Sequence, residues 1–368
     1  MHFVSLYNWS MKNKTIAVGL SGGVDSTLTA LILKQRGYQV IGITLKLHDG
    51  IVKNLSNQHC GGNRSILNAQ RSADELGIAL HVIDCCQDFG SRILKNCWSA
   101  FESGSTPNPC FLCNAAMKFP ELLHTARSLG AEQIATGHYA RIEYDSRSWP
   151  VLKRGADVNK DQSYFLAGLS FEILRSVVFP LGTMQKEEVK KIAADYGLSS
   201  AKLAESQDLC FAAQEGHFSD MLQARFSGKS TPGIFIDEFG KQLGTHSGIH
   251  HYTIGQRRGL GFATGERVKI ISIDPKSGVI VVSGRKGAAY AAQCTVNTFK
   301  WSREPLEEGE HAMAQVRYRQ TAVEAVIQNT NKDSLQINFT LPVFGVTPGQ
   351  ILVLYRDDCV LGSGVISR

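Results

Sequence analysis

Three cysteines stand where a thiol can react rather than merely pack. Cys110 and Cys113 lie in Thr106-Pro107-Asn108-Pro109-Cys110-Phe111-Leu112-Cys113-Asn114, where two prolines stiffen a loop that opens a helix. A helix start lowers a thiol pKa and favours the nucleophilic thiolate. Far along the chain, Cys210 sits in the polar stretch Glu205-Ser206-Gln207-Asp208-Leu209-Cys210-Phe211. A different chemistry is written near the beginning, in Gly19-Leu20-Ser21-Gly22-Gly23-Val24-Asp25-Ser26. A glycine turn between a strand and a helix aims backbone N–H groups and the positive end of a helix dipole at one point, where a phosphate would sit. Ser21, Asp25 and Ser26 add hydroxyls and a carboxylate suited to holding Mg²⁺ on that phosphate. The loop has no lysine at the helix start, which excludes the P-loop, and it lacks the G-x-G-x-x-G spacing of a dinucleotide site.

The elements that must position these residues alternate. Residues 16–20 read as a buried strand, and 24–37 as a helix closed by Gly37. Further strands are expected at 39–44, 80–83 and 133–136, and helices at 65–77, 87–102 and 114–128. This alternation predicts an α/β domain with a parallel sheet covered on both faces, its ligands at the carboxyl ends of the strands. Ser21, Leu45 and His138 fall at those ends. A short helix is expected from Asp161 and a longer one over 185–196. From about residue 215 the helical periods give way to glycines and short strands. A hairpin is expected over 268–283, and six strands between 295 and 366 predict a small β-barrel. The expected domains are therefore 1–214, a small central β-rich domain at 215–286, and a barrel at 287–368.

Composition narrows the class. A chain of 368 residues suits two or three domains of roughly 100–200 residues each. Its hydrophobic content of 43% is ordinary for a globular protein. No apolar run reaches the length of a membrane span, and residues 1–10 lack the basic region and cleavage site of a signal peptide. Met11 is an alternative start. A cytoplasmic chain acting as a monomer, with no membrane partner, is expected. The net charge of +6 permits a nucleic-acid partner without requiring one. Nine cysteines, an odd number, point to buried thiols, metal ligands or catalysis rather than a disulfide scaffold.

Ser21-Gly22-Gly23-Val24-Asp25-Ser26 resembles the PP-loop of ATP pyrophosphatases, which cleave ATP to AMP and pyrophosphate. The resemblance then extends along the chain in order. After the loop come Thr-Pro-Asn-Pro-x-x-x-Cys-Asn from Thr106, Gly137-His138-Tyr139-Ala140-Arg141 and Lys160-Asp161-Gln162-Ser163-Tyr164. They are followed by Ser-x-Asp-x-Cys-Phe from Ser206, Gly255-Gln256-Arg257-Arg258-Gly259-Leu260-Gly261 and Arg317-Tyr318-Arg319-Gln320. From Met11 onward the sequence is similar to the bacterial tRNA-specific 2-thiouridylases.

That resemblance implies thiolation of C2 of the wobble uridine in tRNAs of the Lys, Glu and Gln type. ATP would adenylate the C2 oxygen, and sulfur would then displace AMP. It implies ATP contacts at Gly19, Leu20, Ser21, Gly22, Gly23, Val24, Asp25, Ser26, Leu45 and Gly137. Target-base or tRNA contacts are implied at Asn108, Pro109, Cys110, His138, Lys160, Asp161, Gln162, Arg317, Tyr318, Arg319 and Gln350. A flipped base needs such a pocket, because C2 is not accessible in a stacked uridine. Cys210 would carry sulfur as a persulfide from an upstream donor such as a cysteine desulfurase or relay protein. Cys113 would be the nucleophile, and a transient Cys113–Cys210 disulfide would form and need reduction.

One departure leaves two routes open. Many members of the family have Asp where this chain has Cys110. Cys110 is therefore either a substitute at the acid/base position or, with Cys113 and Cys210, a ligand of a 4Fe–4S cluster whose fourth iron binds sulfide. A zinc site has no evident fourth ligand at finger-like spacing. Period-2 alternation would put Arg317 and Arg319 on one strand face, with Tyr318 suited to a stacked base. His250-His251-Tyr252 with Gln256-Arg257-Arg258 is expected to touch RNA backbone. Cys60, Cys85, Cys86, Cys97, Cys294 and Cys359 are expected to be structural, and the loops at 50–62 and 201–210 to order on RNA binding.

Overall fold

The computed structural model describes residues 14–48, 63–203, 218–331 and 334–367. Residues 1–10, Met11, Cys60, Cys210 and most of the two loops at 50–62 and 201–210 lie outside the described residues. The first sheet is built as expected. β1 (Thr15–Gly19), β2 (Gln39–Lys46), β3 (Ala79–Asp84), β4 (Gln133–Ala135) and, later in the chain, the two-residue strand Val177–Val178 all run parallel. The period-2 alternation of β1 sends Ile16 and Val18 to one face and Ala17 to the other. On the first face they meet α1 (Val24–Gln35) and α2 (Asn63–Leu76). On the other, Ala17 meets Phe119, Leu122 and Ala126.

The strand order is β3, β2, β1, β4 and then Val177–Val178. The chain moves outward from β1 in one direction and returns to its other side with β4. A crevice therefore opens between the carboxyl ends of β1 and β4, where ligands bind in open α/β sheets. The turn after β1 is Ser21-Gly22-Gly23, and the turn after β4 is Thr136-Gly137-His138.

Two helices differ from the sequence expectation. The one expected over 114–128 starts five residues earlier in the structure, as α4 (Pro109–Cys113), and passes through a π turn, Asn114–Lys118, into α5 (Phe119–Ser128). Pro120 has no N–H to give the Ala116 carbonyl, which loosens the helix there. Arg92 Nη2 donates to that carbonyl at 2.5 Å instead. The helix expected over 87–102 likewise contains a π stretch, Phe89–Leu94, before its last α segment, α3 (Lys95–Glu102).

The chain next forms a hairpin, β5 (Ala140–Tyr144) and β6 (Pro150–Arg154). With Val177–Val178 as β7, the central domain holds β8 (Gly233–Ile236), β9 (Gln242–His246), β10 (Lys269–Ile273) and β11 (Ile280–Ser283), in the order β10-β11-β8-β9. The expected hairpin is β10–β11. The last domain contains β12 (Tyr290–Trp301), β13 (His311–Gln315), β14 (Val323–Thr330), β15 (Ser334–Phe344), β16 (Ile351–Arg356) and β17 (Cys359–Ile366). Pairing of β12 with both β15 and β17 closes them into the barrel that the sequence predicts. β6 then adds to β17, pairing Lys153 with Cys359, so a hairpin that precedes the barrel by more than a hundred residues extends its sheet. Among the described residues, no helix is long and apolar enough to cross a membrane.

Candidate active site

The glycine loop takes the geometry its sequence implies. Gly23 is the N-cap of α1 in extended conformation, and no side chain caps it. The first N–H groups of a helix have no intrahelical partner and so face whatever sits at the turn. Ser26 Oγ shapes the loop from inside: it accepts from Ser21 N at 3.1 Å, donates to Gly23 O at 3.1 Å, and lies 3.1 Å from Ser21 Oγ. Gly22 has φ +77°, and a Cβ there would lie 2.4 Å from the backbone of Asn68 and Ala69 on α2. Only glycine fits that position. Gly137 is as constrained from the other side of the crevice, where a Cβ would come within 2.7 Å of the Asp25 carbonyl carbon. The structure thus brings Gly137 against the start of α1, although the two are far apart in sequence.

Asp25 is the most connected residue of the loop. Lys186 Nζ contacts both of its carboxylate oxygens at 2.7 Å, and Tyr139 Oη donates to Oδ1 at 2.8 Å. Lys186 opens α6 (Lys186–Asp195), and its side chain is only 5% exposed against 33% for Asp25. Sequence reasoning missed Lys186, which carries no motif of its own. A Mg²⁺ taken by Asp25 and the serine hydroxyls would draw Asp25 away from Lys186. The oxygen donors suit that ion in type, and it would supply charge neutralisation on a phosphate.

The cysteine helix corrects one expectation. Asn108 is the N-cap of α4, its side chain accepting from Phe111 N at 3.1 Å, and Pro109 is the first helical residue. Cys110 therefore sits in the first turn, whereas Cys113 is the last residue of α4 and is buried. Its thiol is not activated by a helix start. Burial pushes it up to about 11, with the Lys118 charge pulling in the opposite direction. Cys113 packs with Leu47, Cys85, Cys97 and Met117, and Leu45 at the end of β2 lies against the same cluster. So Leu45 and the thiol belong to one apolar cluster at the carboxyl edge of the sheet. Burial also pushes Cys85 and Cys97 up to about 12. Cys110 and Cys113, one helical turn apart, face the same side, which suits a pair of thiolate ligands. Iron, if bound, would supply a site for sulfide. The third thiol in either route, Cys210, lies outside the described residues.

The residues expected to touch tRNA are more embedded than the sequence suggests. Asp161 accepts from Arg154 Nη1 at 2.9 Å, Gly155 N at 2.9 Å, Ser163 N at 3.0 Å and Ser163 Oγ at 2.9 Å. Gln162 Oε1 accepts from Tyr139 N at 3.0 Å. Lys160 occupies the turn before them, its N–H bonded to Asp157 O at 3.0 Å. His138 packs between Phe119 and Phe179, with Nδ1 2.8 Å from Thr136 Oγ1. Burial holds its pKa well below the usual value, so it stays neutral. Gln350 Nε2 donates to Thr106 O at 3.0 Å and Pro107 O at 3.1 Å, strapping the cysteine loop to the barrel.

Arg317 and Arg319 do not share a strand face. β13 ends at Gln315, and the next residues form a turn in which Arg319 has φ +62°. Arg317 turns inward, donating to Ile254 O at 2.9 Å and to Thr347 Oγ1, whereas Arg319 is exposed. Tyr318 packs against Phe165, with centroids 4.3 Å apart and the rings inclined at 43°. The His250-His251 pair also turns inward, His250 being 4% exposed, while Arg257 and Arg258 are exposed.

Comparison with known proteins follows this layout. A tRNA methyl transferase HUP domain model matches residues 14–214, a tRNA methyl transferase PRC-barrel model matches 219–284, and an aminomethyltransferase beta-barrel model matches 291–366. A tRNA-specific 2-thiouridylase MnmA from Rippkaea orientalis is 42% identical over 354 residues, covering 95% of this chain and 99% of its own length. One from Picosynechococcus is 43% identical over 356 residues, covering 96% of this chain and 98% of its own. A solved 4-thiouridine synthetase–RNA complex with bound ATP overlaps 58% of this chain and 50% of its own, at 17% identity and a TM-score of 0.35, too loosely to compare sites. Full-length identity at this level, over a glycine loop and a cysteine helix at one sheet edge, places the chain in the MnmA family of tRNA-specific 2-thiouridylases.

Proposed function

We propose that the protein is an ATP-dependent tRNA-uridine 2-sulfurtransferase, acting as a monomer in the cytoplasm on wobble uridines of tRNAs of the Lys, Glu and Gln type. One observation carries the reading: the phosphate-type loop of α1 and the Cys110–Cys113 helix stand at the carboxyl edge of one parallel sheet, with Gly137 and Leu45 beside them. Such a site can bind a nucleotide next to a thiol. The exposed Arg257, Arg258 and Arg319 offer cations for RNA phosphate. The domains are taken as 1–214, 215–286 and 287–368.

The chemistry follows from the poor leaving ability of a carbonyl oxygen. The uracil C2 oxygen attacks the α-phosphate of ATP, and the α–β bond breaks to release pyrophosphate. Helix N–H groups and Lys186 would stabilise the phosphate charge that accumulates. Sulfur enters from a Cys210 persulfide loaded by an upstream donor. In one order, the Cys113 thiolate attacks the Cys210 sulfur, a Cys113–Cys210 disulfide forms, and sulfide leaves to displace AMP at C2. In the other, the terminal sulfur attacks C2 first, AMP leaves, and Cys113 then releases the thiolated base with the same disulfide. Either order needs a two-electron reductant to restore both thiols. The raised pKa of Cys113 means that its proton must be taken as the substrate arrives, and a Cys110 thiolate, one helical turn away, would serve as the base. In the cluster reading, Cys110, Cys113 and Cys210 would hold iron instead, and the iron would supply a binding site for sulfide.

The test is thiouridine formation on unmodified tRNA with ATP-Mg²⁺ and a persulfide donor, using iron-free protein. Product formation supports the persulfide route, and activity only after anaerobic cluster reconstitution supports the iron-bound one. Absence of product in both states refutes the proposed activity. Cys210→Ser is expected to abolish thiolation while tRNA binding persists, read by gel shift alongside product analysis. Thiolation by that variant removes Cys210 from the mechanism.

A further inference from the structure

Away from this site, the first helix of the central domain, α7 (Phe218–Phe226), packs against a one-turn 3₁₀ helix of the same domain, Ile249–His251. Asp220, in the first turn of α7, meets two imidazoles there. Its Oδ1 lies 3.3 Å from His251 Nδ1 and 3.7 Å from His250 Nε2, and the three ligand atoms all lie within 4.8 Å of one another. The second distance is beyond a hydrogen bond. Both lie near the edges of a coordination shell instead. Ligands about 2.0–2.2 Å from a tetrahedral ion stand roughly 3.3–3.6 Å apart, so the first distance fits as it stands and the second needs only a small closure.

We propose that Asp220, His250 and His251 bind one divalent cation of the Zn²⁺ class, which fastens α7 to the rest of the central domain. The donor set is two nitrogens and one oxygen. It favours a borderline metal over Ca²⁺ or Mg²⁺, which prefer all-oxygen shells, and over Cu⁺, which prefers sulfur. The rings are held in place before any ion arrives. Their centroids are 4.1 Å apart, and His250 lies edge-on to Trp98 at 5.5 Å. Gly248 makes room for the His250 ring, since a Cβ there would lie 2.3 Å from its Cε1. The Asp220 side chain is 46% exposed, leaving a fourth position open to water. The site matters for its place in the chain: α7 begins shortly after Cys210. An ion here would anchor the far end of the segment that carries that thiol. Metal binding itself does not depend on the thiolation reading.

The experiment uses the full-length chain with Cys110, Cys113 and Cys210 replaced by serine, stripped with chelator and titrated with Co²⁺ and then Zn²⁺. One equivalent of Co²⁺ is expected, giving visible d–d bands without an intense near-UV thiolate charge-transfer band, and displaced by Zn²⁺. Asp220→Asn and His251→Ala are each expected to weaken binding at least ~10-fold and to remove the rise in melting temperature that Zn²⁺ gives the parent. Circular dichroism checks that both variants fold. Substoichiometric binding, a thiolate charge-transfer band, or unchanged affinity in a folded Asp220→Asn chain overturns the proposal.

Discussion

Lys186 shows what a residue-level reading can lack. The glycine loop and the Cys-x-x-Cys turn are local patterns, so their chemistry is legible before any fold is known. Lys186 is 161 positions from Asp25 and looks like one more lysine on an amphipathic helix. Only the folded sheet brings the two together. With ATP-Mg²⁺ bound at the glycine loop as proposed, Asp25 would gain a stronger cation and Lys186 an anionic phosphate, so the pair is expected to exchange partners. Lys186→Gln should lower ATP–pyrophosphate exchange at least ~10-fold, in line with removing a preorganised electrostatic contact. Its stability cost is about 1–3 kcal/mol, below that of a fully buried pair because Asp25 is part exposed. Unchanged exchange would make the contact purely structural.

At the level of elements, most of the fold was legible and the interruptions were not. The strands of the first sheet and of the barrel follow from apolar runs bounded by turns. The early start of α4 had a readable signal, since Asn108-Pro109 is an N-cap followed by proline at the first helical position. It was hidden because two prolines suggest a loop. The end of β13 at Gln315 had no comparable signal, and assuming that alternation continued put Arg317 and Arg319 on one face in error. Inward-facing polar groups are equally invisible to periodicity, Asp161 and Gln350 among them. Gln350 joins two elements with two hydrogen bonds, each worth about 0.5–1.5 kcal/mol. Gln350→Ala is therefore expected to loosen the Thr106–Cys113 loop by about 1–3 kcal/mol. Hydrogen exchange should quicken across that loop and α4 while β1 and β2 keep their protection.

At the scale of the molecule, all three domains meet at the cysteine loop. Thr106 N donates to Pro348 O at 2.8 Å in the last domain, and Thr106 Oγ1 lies 3.0 Å from Thr253 Oγ1 in the central one. RNA bound across the β domains would thus be read directly by the loop that carries the thiols. Global stability also has a pH limit. Burial pushes Cys97 and Cys294 up to about 12 and Cys113 up to about 11. The folded chain keeps these protons above the pH at which unfolded thiols lose them. The stabilisation is complete below about pH 8.5 and is lost as pH rises, by at most ~1.4 kcal/mol per pH unit for each thiol. Urea midpoints measured from pH 8 to 11 under reducing conditions should therefore fall, and replacing Cys294 with alanine should make the fall shallower. A profile that is flat over this range contradicts the buried thiols.

The β5–β6 hairpin sets an order of events during synthesis. Ribosomes deliver residues 140–154 well before residues 359–366. Until the last strand emerges, β6 presents an unpaired edge to its surroundings. The nascent first domain therefore waits with an open seam through translation of the central domain and most of the barrel, and β17 closes it.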